Sequence, residues 1–174
     1  MKDMNQRHTT KGSLRRSSHQ GGSYIQFELS LRSEVSAISP FVDTVMHLIR
    51  KCRWVHGNEE EIEIALREAL ANAIVHGNHK DPGKQVYVSC RCGTDDVSFV
   101  IRDEGQGYDI GELPDPTAPE NISSSHGRGI YLMKNLMDEI RFEQSGAIVY
   151  MRKSAVENPS HGRDGDEGNG TQRC

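Results

Sequence analysis

A chain of 174 residues has room for one domain and leaves length over for tails. With 34% hydrophobic residues and a mean hydropathy of -0.66 it can bury a modest core, and its apolar runs fall far short of the roughly 18 residues that span a bilayer. The net charge of -4 argues against a nucleic-acid binder driven by phosphate neutralisation, and no charged-then-apolar leader opens the chain, so a cytoplasmic protein with protein or small-molecule partners is expected.

Residues 1 to 22 are rich in Ser, Arg, Lys, Gln, His and Gly, cannot bury enough surface to offset ordering entropy, and read as a disordered arm. The ordered domain is expected over residues 23 to 152. It begins with SYIQFELSL at 23 to 31, whose alternation is that of a half-buried strand. Residues 34 to 54 read as a helix with Pro40 in its first turn, an apolar face of Phe41, Val42, Val45, Met46, Leu48, Ile49 and Cys52, and Trp54 capping that core. His47 on this helix lacks the acidic neighbour of a phosphoacceptor and reads as structural or exposed.

Residues 59 to 79 are the clearest helix, with Ile62, Ala65, Leu66, Ala69, Leu70, Ala73 and Ile74 in one stripe, Asn58 as N-cap and Glu61 completing a capping box. On the opposite edge Glu68, Asn72 and His76 stack at successive turns. The Gly77 to Gly83 cluster breaks the helix. Residues 84 to 92 and 96 to 102 then form a hairpin around Gly93-Thr94-Asp95, and the second strand runs into Asp103-Glu104-Gly105-Gln106-Gly107. Cys90 and Cys92 share one face of their strand and, with Cys52 and Cys174, follow no disulfide or metal spacing, so they read as reduced structural thiols.

Residues 110 to 126, with three prolines and no periodicity, read as a lid ending at Gly127-Arg128-Gly129. A short helix on Ile130, Leu132, Met133, Leu136 and Met137 follows, then a closing hairpin over 139 to 144 and 147 to 152, and a disordered tail from 153 to 174.

A charged stripe on an amphipathic helix is by default a solvated face, and an aspartate after a strand is by default a turn former. Two glycine-rich segments after the polar stripe change that reading. Gly127-Arg128-Gly129 opens a helix, lets a phosphate reach the backbone and supplies a cation, an anion site in outline. Asn72 offers an amide oxygen to Mg2+, which takes few protein ligands, and Glu68 one turn earlier is placed to accept a proton from a nucleophile. Asp103 suits the exocyclic amine of adenine, with Gly105 and Gly107 leaving room for a flat base. His76 and Ile130 are counted with this nucleotide-contacting set. No H-R-D, D-F-G or G-x-x-x-x-G-K-[ST] pattern is present, which excludes a protein-kinase fold and a P-loop.

EALANAIVHGN (68 to 78), DEGQGYD (103 to 109) and GRGIYLMKNLMDEI (127 to 140) resemble the N, G1 and G2 boxes of the GHKL ATPase superfamily. LPDPTAPE before GRG, and LMDE before a closing hairpin, are similar to the bacterial anti-sigma factor serine/threonine kinases. The resemblance implies an α+β fold, the two-layer α/β sandwich called the Bergerat ATP-binding fold, with a mixed, mostly antiparallel sheet covered on one face by three helices. It implies ATP and Mg2+ as cofactors and supports the roles given above to Glu68, Asn72, Asp103, Gly105, Gly107, Gly127, Arg128 and Gly129. It also implies a homodimer that phosphorylates an anti-anti-sigma (STAS-type) partner and sequesters a sigma factor. Two other readings remain open: an ATP-binding module that sequesters its partner without phosphotransfer, and the catalytic half of a histidine kinase served by a separate phosphoacceptor.

Overall fold

The structure is a computed structural model that describes residues 11–19, 22–51, 57–107 and 128–155. Alternation in the sequence decides which way each strand faces. Phe27 and Leu31, then Val86, Val88, Cys90 and Cys92, then Val97, Phe99 and Ile101, and finally Val149 and Met151 all point to one buried side. The intervening Glu28, Arg91, Val100 and Arg102 stay exposed on the other. Three arginines on that open side, Arg91, Arg102 and Arg141, each lie 4.6 Å above a tyrosine ring, those of Tyr24, Tyr87 and Tyr150.

These residues belong to β2 (Gly22–Arg32), β3 (Gln85–Cys92), β4 (Asp96–Arg102), β5 (Glu139–Glu143) and β6 (Ile148–Ser154). A further strand, β1 (Lys11–His19), pairs with β2 along its whole length. The six run in the order β1-β2-β3-β4-β6-β5, and every pairing is antiparallel among the described residues. The β1 segment corrects the expectation of a disordered arm up to residue 22. A strand at a sheet edge is held by the backbone ladder and can be polar and basic, as KGSLRRSSH is, so its composition gave no sign of order.

Three helices cover the buried side: α1 (Ile38–Ile49), α2 (Glu59–Asn72) and α3 (Arg128–Leu136). Phe41, Val42, Val45, Met46 and Ile49 of α1, the α2 stripe and Ile130 and Met133 of α3 join the strand residues in one core. This is the two-layer α+β sandwich. Helix α1 is preceded by a short 3-10 turn, Val35–Ala37, and Pro40 lies in its first turn. Cys52 and Trp54 lie outside the described residues.

The start of α2 departs from the expected capping box. The Asn58 carbonyl accepts from the Ile62 amide (3.0 Å), but its side-chain Nδ2 donates to the Ser154 carbonyl (2.9 Å), and the Glu61 carboxylate ion-pairs with Lys153 Nζ. Both side chains therefore tie α2 to β6 instead of capping the helix. Three acidic residues in the first turn, Glu59, Glu60 and Glu61, suit the positive end of the helix dipole.

Candidate functional site

The α-helical register of α2 ends at Asn72, and Ala73–Gly77 continue as a π turn. Its widened spacing shows in the Asn78 amide, which donates to the Ala73 carbonyl five residues back (2.8 Å). Glu68 and Asn72 remain one helical turn apart and half-buried, whereas His76 falls within the π turn and is exposed. The single line expected through Glu68, Asn72 and His76 is thus broken after its second member.

Across from Glu68 and Asn72 stands the first turn of α3. A Cβ at Gly129 would lie 2.5 Å from Glu68 Oε2 and 3.7 Å from Asn72 Nδ2, so only glycine lets the carboxylate rest against this backbone. Asn72 Nδ2 is buried and has no hydrogen-bond partner among the described residues. A buried amide without a partner is costly, and a half-turn of that group exchanges its nitrogen for its oxygen, which fits a polar ligand or a hard cation. Arg128 is exposed at the helix start. Ile130, by contrast, is 7% exposed and part of the core. No group of three His, Cys, Asp or Glu side chains able to hold a metal occurs among the described residues, and Cys90 and Cys92 are buried in the core.

At the far end of the π turn lies Asp103, just past β4, 6% exposed and anchored by its amide to the Ala147 carbonyl (3.0 Å). Its Oδ1 accepts from the Gly105 amide (2.8 Å). Burial pushes its carboxyl above the usual range, opposed by that amide and by the nearby Lys84 and His79. The loop packs on Gly77 from both directions: a Cβ at Gly77 would sit 2.3 Å from Asp103 Oδ2, and one at Gly105 would sit 2.1 Å from the Gly77 carbonyl oxygen. Gly107, at φ +76°, passes against the Gln144 and Ser145 carbonyls.

Glu68, Asn72, Asp103, Gly105 and Gly129 are therefore gathered along one helix and its π extension. Gly127 and the expected lid over 110 to 126 lie outside the described residues, as do Tyr108 and Asp109. Residues 31–153 match the family of histidine kinase-like ATPase domains. The chain belongs to this family.

Its relatives place it among the anti-sigma factor kinases of the GHKL group. The anti-sigma F factor of Heyndrickxia coagulans is 36% identical over 137 residues, covering 74% of this chain and 89% of its own. That of Oceanobacillus iheyensis is 36% identical over 99 residues, 53% of this chain and 67% of its own. The serine-protein kinase RsbW of Bacillus subtilis is 28% identical over 137 residues, 75% and 84% of the two chains. The cluster thus lies within a histidine kinase-like ATPase domain. Among the described residues no helix is long and apolar enough to cross a membrane.

Gly77 and Asn78 were read from sequence as helix-breaking punctuation at the end of the N-box stretch and were given no role of their own. A Gly-Asn pair after a helix is the usual sign of a C-cap, and nothing local distinguishes one that must also receive an aspartate from another strand.

Proposed function

We propose that the chain is an ATP-dependent serine/threonine protein kinase that phosphorylates an anti-anti-sigma protein of STAS type and, as a homodimer, sequesters a sigma factor. The observation that carries this reading is the convergence of the Glu68 carboxylate, the partnerless Asn72 amide and the Gly129 backbone, with the buried Asp103 at the far end of the π turn that continues the same helix. The names of the relatives support the choice of partner.

In this reading Asp103 would take the adenine amine, Gly105 and Gly107 would leave the base room beside the backbone, and Asn72 would hold Mg2+. Arg128 and the first-turn amides of α3 would hold phosphate oxygens, together with Gly127, which precedes Arg128 in the sequence. ATP with Mg2+ supplies a phosphoryl group whose oxygens are screened by the metal. Glu68 Oε2, which lies against the Gly129 backbone in the first turn of α3, would accept the proton of the partner's serine or threonine hydroxyl.

Incubation of the purified chain with labelled ATP and a STAS-type protein tests the activity. Label should pass to a serine or threonine of the partner. Glu68→Gln should keep ATP affinity within about twofold while transfer falls by roughly 10²-fold or more, the usual scale for a lost general base. Undiminished transfer by that variant would remove Glu68 from the role. ATP-dependent capture of a sigma factor with no transfer to any partner would instead favour the sequestering module.

A further inference from the structure

Asn78 is fully buried and polar, and the mechanism above gives it no role. Its Oδ1 accepts from the Glu104 amide (2.9 Å) and its Nδ2 donates to the Gln85 carbonyl (2.9 Å). The ring closes on the other side: the Gln85 amide donates to Glu104 Oε2 (2.7 Å), and the Tyr87 hydroxyl donates to Glu104 Oε1 (3.0 Å). Glu104 is thus gripped at its main chain by the end of the π turn and at its carboxylate by the start of β3. It is also the residue that follows Asp103.

We propose that Asn78 and Glu104 are positioning residues that fix the Asp103 carboxyl at the place and rotation from which it selects an adenine base. This rests on the nucleotide reading above and extends it to two residues that do not touch the base. The β4 ladder ends at Arg102. Beyond it, the Asp103 amide is held by Ala147, while the next two amides reach only side chains, Glu104 to Asn78 and Gly105 to Asp103 itself. Without Asn78 the peptide carrying Asp103 loses its tether to the π turn that it must face. The residue type follows from the geometry: one end must accept an amide and the other donate to a carbonyl, and of residues this size only asparagine does both while neutral. An aspartate would set a carboxylate oxygen against the Gln85 carbonyl.

The test uses the full chain and titrates Mg-ATP and Mg-GTP by calorimetry into wild type, Asn78→Ala, Asn78→Asp and Glu104→Ala. In the nucleotide-free proteins, hydrogen exchange is followed at the Gly105 amide. Wild type should prefer ATP. Asn78→Ala should weaken ATP by about tenfold, or roughly 1.4 kcal/mol, and narrow the ATP-over-GTP ratio by a similar factor. Asn78→Asp should act in the same direction, and Glu104→Ala, at an exposed position, should do so by a smaller factor with the fold intact. Exchange at Gly105 should quicken in all three. A purely structural role would lower the melting temperature yet leave the nucleotide ratio and Gly105 protection of the folded protein unchanged, and that outcome overturns the proposal. If Asn78→Ala does not fold, Glu104→Ala decides. Wild type without adenine preference sinks the nucleotide reading and this proposal with it, whereas a wild-type preference retained by every variant overturns this proposal alone.

Discussion

Burial holds the Asp103 carboxyl above the usual carboxylate range, which makes it a cost to the empty protein at neutral pH. With the folded value above the unfolded one, the native state binds more protons in the interval between them, so stability falls as pH rises through that interval and is restored on acidification. Asp103→Asn removes the ionisation and keeps an oxygen for the Gly105 amide. Its melting temperature should equal or exceed that of wild type at pH 7, with the advantage shrinking as pH is lowered into the carboxylate range. ATP affinity should drop at the same time, because an amide oxygen is a weaker acceptor than a carboxylate. A destabilised variant with unchanged ATP affinity would contradict both the burial cost and the base-reading role. Gly129 provides the complementary case. Alanine is favoured over glycine inside a helix by about 1 kcal/mol, so Gly129→Ala should not unfold the protein. Its methyl group occupies the position of the Glu68 carboxylate, so phosphotransfer should fall well below wild type while melting is unchanged or raised.

Among the elements, α2 with its π turn carries both halves of the site, and the π turn decides how they are spaced. A continuous α-helix would have kept His76 in line with Glu68 and Asn72; the wider turn instead brings Gly77 under Asp103. Gly77→Ala should therefore disturb adenine binding more than helix stability, and a titration with ATP against circular dichroism of the helix content separates the two. At the other margin of the fold, β1 contacts the sheet through β2 alone. A chain lacking residues 1 to 20 should still fold, since the buried faces of β2 to β6 and all three helices remain. It should melt at a lower temperature and self-associate more readily, because the β2 edge is left unpaired. Light scattering and thermal melting report the two effects.

For the molecule as a whole, one core joins the helices to the sheet, and a polar tie holds their ends in register. Phe99 is fully buried in the middle of β4, and Phe99→Ala should cost about 3–5 kcal/mol by denaturant titration. Lys153 Nζ reaches the Leu136 carbonyl (2.8 Å) and the Glu61 and Asp138 carboxylates, joining the end of β6 to α2 and to the chain leaving α3. These ties reach both elements that supply the site, yet none of them was visible in the amino-acid pattern.

Periodicity in the sequence was enough to determine α2, the β3–β4 and β5–β6 hairpins, α3 and the inward face of each, because burial of one face imposes a repeat of two or of 3.6 residues on the chain itself. The three glycine and polar motifs were legible from residue type and order and from their resemblance to the GHKL boxes, and with them the candidates Glu68, Asn72, Asp103 and Gly129. Only the tertiary structure decided that Gly129 lies against Glu68, that Asn58 and Glu61 serve β6, and that Asn78 holds an amide 26 positions away. It also decided that a basic, polar segment pairs as β1. Such contacts depend on how separate elements pack, and a hydrogen bond between distant segments leaves no repeat in the residues that flank either partner.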